Sequence, residues 1–136
     1  MDRVKSETGL DVEVLSGEAE AKRTMLGIRS GLPQGMKDVL ALDIGGGSTE
    51  FILGTDEHPR FRHSFPIGTV RLLERLPHSD PPTPADWRKC RTVIREFLDA
   101  EIAPAIEPKM KVFADPQIQW VGTGGSTTIL ARIELG

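Results

Sequence analysis

The run Asp43-Ile44-Gly45-Gly46-Gly47-Ser48-Thr49-Glu50 brings glycines, hydroxyls and carboxylates together at one point of the chain. A turn of this composition presents successive backbone N–H groups with little side-chain bulk around them. Such concave arrays hold anions, phosphate above all. The N–H groups of Gly45, Gly46, Gly47 and Ser48 are the candidate donors, and the hydroxyls of Ser48 and Thr49 lie beside them. For the hydroxyls a second reading stands, a local bond to the turn's own backbone. Asp43 and Glu50 close the two ends. Carboxylates beside a phosphate repel it unless a hard cation lies between, so both are candidate Mg²⁺ ligands. The alternative for each is a bond to backbone N–H groups at the end of a hairpin.

The flanks say what must position this run. Val39-Leu40-Ala41-Leu42 precedes it and Phe51-Ile52-Leu53 follows. They predict strands at about 38–43 and 50–54, a hairpin with the glycines at its turn. That setting excludes two other phosphate motifs. A Walker A loop needs a lysine before its Ser/Thr, where this chain has Gly47. A dinucleotide fingerprint needs a helix after its glycines, and here a strand follows. An ordinary hairpin turn needs only one or two glycines, and each extra one costs chain entropy. A ligand-binding turn is therefore favoured over a bare one.

Elsewhere, Asp11-Val12-Glu13-Val14-Leu15 alternates and predicts a short strand. Ser16 caps a helix over about 17–29, with Ala21, Met25 and Ile28 as its apolar stripe. A third strand is expected at about 60–66 and a short helix at 69–75, followed by a proline-rich loop. Thr83-Pro84-Ala85-Asp86 starts a helix. Trp87, Cys90, Ile94, Phe97 and Leu98 form its apolar face, and it should stop near Ile102, before Pro104. Residues 104–116 read as irregular, or as carrying a short strand at 111–113. A last strand at 117–121 packs Trp120, and Ser126 caps a final helix with Ile129, Leu130 and Ile133 on one face. Hairpins mixed with crossovers make the fold class α/β, a mixed sheet with packed helices. Gly122, Gly124 and Gly125 form a second glycine turn before that helix, either an anion site or a place of close strand–helix packing. Arg71 reads as a solvated side chain, with a phosphate contact as the alternative.

The bulk numbers bound the function classes. The 136 residues suffice for one domain with a modest core. Net charge is −3 with both signs interspersed, which argues against general nucleic-acid or membrane-surface binding. The single cysteine, Cys90, excludes an internal disulfide and fits a reducing, cytoplasmic setting. No apolar run approaches a membrane span, and residues 1–11 lack the apolar core of a signal peptide. His58, His63 and His78 lack metal-ligand spacing.

Four segments, in order, resemble the exopolyphosphatase/guanosine pentaphosphate phosphohydrolase (Ppx/GppA) family. They are Glu7–Ala21 (with Ser16-Gly17-Glu18-Ala19-Glu20), Asp43–Glu50, Phe65-Pro66-Ile67-Gly68-Thr69-Val70-Arg71-Leu72 and Val121-Gly122-Thr123-Gly124-Gly125-Ser126. The resemblance implies an actin-like ATPase (ribonuclease H-like) fold of two lobes around a phosphate cleft. It implies hydrolysis of terminal phosphate from inorganic polyphosphate, or of the 5′-phosphate of guanosine pentaphosphate, with Mg²⁺. It makes Glu20 the catalytic base that activates water, with Glu18 as the neighbouring rival. Nothing here matches the family's first phosphate hairpin, of Asp-x-Gly-Ser-Asn type, or its C-terminal part. The chain is thus expected to be a single lobe, with residues 1–30 leading into a phosphate-binding part at 36–136. Both ends are expected to be cuts through a larger protein.

Three functions follow. The first is a lobe of such a phosphatase. The second is a lobe of an actin-superfamily ATPase or small-molecule kinase. The third is a non-catalytic phosphate-binding module, which describes an isolated lobe, since one jaw cannot close on a phosphate. A lone lobe should also expose apolar surface and form a homodimer.

Overall fold

The computed structural model describes residues 2–33, 38–54, 59–111 and 118–136. Helices α1 (Asp2–Thr8) and α2 (Gly17–Ser30) precede the hairpin β1 (Val39–Ile44) and β2 (Thr49–Gly54). β3 (Pro59–Phe65), α3 (Thr69–Arg75), α4 (Pro84–Phe97), α5 (Ala103–Met110), β4 (Gln119–Thr123) and α6 (Gly124–Leu135) follow. The sheet order is β3-β2-β1-β4; β1–β2 and β2–β3 are antiparallel, and β1–β4 is parallel.

Strand alternation sorts the core into two halves. Leu40, Phe51, Leu53 and Phe65 point to one face and pack against Ile102 and Ile106. Val39, Ala41 and Ile52 point to the other and pack against Ala21 and Met25 of α2. The central strands are covered on both sides, which is why Val39-Leu40-Ala41 reads as a continuous apolar run. α2 is therefore part of the lobe's own core. Its cap is the expected one, the Ser16 hydroxyl accepting from Ala19 N at 3.2 Å.

Four expectations need correction. Residues 11–15 form no strand, and Val12 and Val14 are exposed. Alternation makes a strand only where a sheet edge is free to pair, and the preceding turn of chain is instead the helix α1. The α4 stripe is only partly core: Phe97 meets Phe65 edge-on with ring centroids 6.4 Å apart, while Trp87 is exposed. The helix does not end before Pro104. It widens into a π-helical turn at Leu98–Ile102, directly before Pro104, and continues as α5 to Met110; the wider turn is what accommodates the proline's missing N–H. At the other end, the last strand lies at 119–123, Trp120 on it is exposed, and α6 is capped at Thr123, not Ser126. Gly124, at φ +87°, turns the chain directly from strand to helix. The suggested strand at 111–113 lies beyond Lys111 and outside the described residues.

The α4 start makes a test of its own. Thr83 Oγ1 accepts from Asp86 N, while Asp86 Oδ2 accepts from Thr83 N at 2.8 Å, Thr83 Oγ1 at 2.6 Å and Ser79 Oγ at 2.8 Å. The Thr83 hydroxyl and N–H, with the Ser79 hydroxyl, hold the Asp86 carboxyl well below the ordinary carboxylate range. A lowered carboxyl stabilises the fold above its unfolded-chain value, and the effect is lost as pH falls through the folded value. Melting curves taken from about pH 5 down to about pH 2 should show the wild type losing its advantage over Asp86→Asn. A gap that stays constant across that range would contradict the role given to this carboxylate.

Candidate functional site

The site lies at the turn end of the β1–β2 hairpin. Asp43 and Glu50 are direct cross-strand partners, so their side chains leave the same face, the one covered by α2. The turn closes through Gly45 N donating to Ser48 O at 3.0 Å. That bond removes Gly45 from the candidate phosphate donors. The carbonyls of the turn are occupied as well. Gly45 O accepts from Thr69 N at 3.1 Å and Gly46 O from Arg71 N at 3.0 Å. Gly47 O accepts from Arg71 Nε at 2.8 Å. With every carbonyl tied to the head of α3, the N–H groups of Gly46, Gly47 and Ser48 remain, and they donate to no acceptor among the described residues. Three adjacent unpartnered donors on a turn are the kind of array that can receive an anion.

Arg71 is exposed, as expected of a solvated arginine, and its Nε in addition braces the turn from the side of α3. Gly68 makes the brace possible. A Cβ at position 68 would lie 2.5 Å from Gly46 O and 2.8 Å from Gly45 O, so only glycine lets α3 approach this closely.

The hydroxyls divide by strand alternation. Ser48 Oγ donates to Glu50 Oε1 at 2.7 Å, inside the site. Ser64 Oγ of β3 donates to the same oxygen at 2.6 Å. Thr49, one residue before Glu50, faces the other way. It is buried, and its hydroxyl donates to Ile67 O at 2.6 Å, so the structure gives that hydroxyl to the fold and not to a ligand.

Glu20 lies in the first turn of α2, where Arg62 Nη2 of β3 donates to its Oε2 at 3.1 Å. Its rival Glu18 is exposed. Burial, then the neighbouring charge of Glu50, then that of Glu20 push the Asp43 carboxyl above its ordinary range. Asp43 therefore feels the charge of Glu20 as well as that of its hairpin partner, despite the distance of Glu20 along the chain.

The second glycine turn splits in the same way. A Cβ on Gly124 would lie 2.5 Å from Asp43 Oδ1, so Gly124 borders the site and leaves that carboxylate room. Gly125 faces open space beside it. Gly122 meets Thr127, with a Cβ there only 2.8 Å from Thr127 Cγ2, which is close strand–helix packing.

Among the described residues no three His, Cys, Asp or Glu side chains form a metal-binding group. His63 packs against Phe65, with centroids 4.3 Å apart, and His78 Nδ1 sits 3.0 Å from Leu76 O. No helix among the described residues is long and apolar enough to cross a membrane. Arg62, Ser64 and Gly68 were not foreseen in the sequence. Their one local signal is the alternation of β3, which sets Arg62 and Ser64 on the α2 face and Phe61 and Phe65 on the other.

Comparisons with known proteins place the chain as a whole. The profile of the Ppx/GppA phosphatase family matches residues 1–134. Exopolyphosphatase 1 of Mycobacterium tuberculosis is 36% identical over 135 residues, which is 98% of this chain and 37% of that protein. Exopolyphosphatase 2 of the same organism is 36% identical over 92% of this chain and 37% of its own length. Among solved structures, the Aquifex aeolicus Ppx/GppA family member superposes with a TM-score of 0.70 at 37% identity, covering 98% of this chain and 39% of that one. An exopolyphosphatase from Cytophaga hutchinsonii gives a TM-score of 0.73 at 31% identity, covering 98% and 41%. The chain thus spans about two-fifths of the length of these relatives. The fold is that of an actin-like, ribonuclease H-like lobe. With a match along nearly its whole length, the chain belongs to the Ppx/GppA phosphatase family.

Proposed function

We propose that the chain is the phosphate-gripping lobe of an exopolyphosphatase that removes terminal phosphate from inorganic polyphosphate. The observation that carries this reading is the triplet of unpartnered N–H groups at Gly46, Gly47 and Ser48, with Asp43 and Glu50 at its mouth. The exopolyphosphatase names of the relatives support the same substrate class. In this reading the terminal phosphate sits on the triplet, which takes up charge as it develops on the equatorial oxygens. Glu20 accepts a proton from the attacking water. The new P–O bond forms as the bond to the bridging oxygen breaks, leaving inorganic phosphate and a polymer one unit shorter.

The residues fit Mg²⁺. The donor set is oxygen only, and Asp43 and Glu50 stand opposite each other across the hairpin. Burial and then the charge of Glu50 raise the Asp43 carboxyl, and a cation between the two acids would offset that charge. Two carboxylates, with phosphate and water completing the sphere, is how proteins usually hold this ion. Bound there, it would neutralise charge on the substrate's phosphates. The two serines on Glu50 keep its second oxygen free for that purpose. One unpaired cysteine, Cys90, accords with a cytoplasmic setting.

The test is phosphate release by the intact enzyme that contains this lobe, from long-chain polyphosphate, guanosine pentaphosphate and ATP, each with Mg²⁺ and with chelator. Polyphosphate should be turned over only with the metal, and Glu20→Gln should lower kcat by about 10²–10⁴-fold. Faster release from guanosine pentaphosphate would move the substrate to the nucleotide. ATP as the sole substrate would replace the reading with an ATPase.

A further inference from the structure

We propose that Arg62 is a positioning residue that holds the Glu20 carboxylate in place for its task as base; this rests on the function proposed above. Arg62 stands on β3, the edge strand of the sheet, and reaches across to the start of α2. Its Nη2 donates to Glu20 Oε2 at 3.1 Å, a link between residues 42 positions apart. The guanidinium sits against Gly17, the first residue of α2; a Cβ there would come within 2.8 Å of Arg62 Cζ.

Stability does not explain this placement. The pair is partly exposed, with side-chain exposures of 30% for Arg62 and 60% for Glu20, so its contribution to folding is small. A cation at a helix N-terminus also opposes the helix dipole. Arg62 Nε is buried and has no hydrogen-bond partner among the described residues. An adverse pole and an unsatisfied donor are features that fold-level selection removes, and they persist where a site needs them. What the arrangement provides is direction. An exposed glutamate in the first turn of a helix samples several rotamers, whereas one held from the sheet keeps its carboxylate on the side of Asp43 and Glu50. Arg62 lies two residues from Ser64 on the same face of β3, and Ser64 bonds Glu50, so the carboxylate it holds is on the site's side of the sheet.

The consequences are specific. Arg62→Met should lower kcat on polyphosphate by about 10-fold or more with KM unchanged, as expected for a residue that orients another. Arg62→Lys should recover part of the loss. Gly17→Ala should act in the same sense without removing any charge, because the three atoms nearest the new methyl all belong to the flexible end of Arg62. In a Glu20→Gln background, Arg62→Met should cost less than about 2-fold more, since the two act as one unit. A raised KM with kcat kept would make Arg62 a substrate contact, and additive losses would make its effect independent of Glu20; either overturns the proposal. If the intact wild-type enzyme releases no phosphate, or Glu20→Gln leaves its kcat intact, the proposed function is what fails. The coupling is then read from the carboxyl ¹³C resonance of Glu20, which should move in both Arg62→Met and Gly17→Ala. A resonance unmoved in both overturns the positioning role.

Discussion

Gly68→Ala should abolish phosphate turnover while leaving most of the fold in place. The added methyl would meet the carbonyls of Gly45 and Gly46 at 2.8 and 2.5 Å. These are backbone atoms, so neither can swing aside as a side-chain tip would. Relief must come from pushing α3 off the turn, which breaks the bonds from Thr69 N and Arg71 N and lets the glycines collapse into other conformations. Displacements of about 1 Å at a reacting group cost on the order of 100-fold in rate, and overpacking of this kind costs about 1–3 kcal/mol of stability. Phosphate release should therefore fall by at least about 100-fold against a modest drop in melting temperature. Gly27→Ala is the control: its Cβ meets nothing within 4 Å on the exposed side of α2. That variant should gain about 0.5–1 kcal/mol and keep full activity. A Gly68→Ala protein as active as the wild type would show that the contact with α3 does not shape the anion site.

Asp43→Asn should make the protein more stable and inactive at once. In the folded chain the Asp43 carboxylate is partly buried and faces the charges of Glu50 and Glu20. Its raised carboxyl means that the ionised form is disfavoured there, so at neutral pH the charge works against folding. The amide keeps the shape and removes the repulsion. A gain of about 0.5–2 kcal/mol is the usual yield of relieving an active-site conflict of this kind. Turnover should fall by at least about 100-fold, because the phosphate would lose the cation held beside it. Thermal melts give a readout independent of activity. Mg²⁺ should raise the melting temperature of the wild type by mass action and leave Asp43→Asn unmoved. A variant that is less stable than the wild type, or that responds equally to Mg²⁺, would overturn the role of Asp43.

The parts of this site that lie close together in the chain were legible in the sequence, and the parts joined by docking were not. Asp43, Glu50 and the three glycines between apolar runs announce a hairpin with a special turn, and the register agrees with the expected strands to within one residue. Which N–H groups remain available could not be read there. Gly45 is used up by the turn itself, and the brace on the others comes from residues 69–71, whose approach depends on where α3 settles. Thr49 shows the cost of reading a motif as a string: alternation sends it into the core while its neighbour Glu50 faces the site. Glu20 has no local mark that separates it from Glu18, and family resemblance alone singled it out. The failures in fold have the same root. Val12 and Val14 alternate like a strand but find no edge to pair with, and Pro104 looks like a stop signal until a wider turn absorbs it.

A peptide group has two ends, and here both are in use. The oxygens of Gly45, Gly46 and Gly47 belong to the same three amide planes as the N–H groups of Gly46, Gly47 and Ser48. Each hydrogen bond accepted at the oxygen draws electron density along the plane and sharpens the positive pole at the far nitrogen. Two of the three are drawn by main-chain donors of α3, and the third by a full positive charge, the Arg71 guanidinium. The helix behind the turn thus acts through the amides as well as beneath them. The charge of Arg71 thus reaches the donor side of the turn through one covalent plane, with its effect strongest at the nitrogen of Ser48.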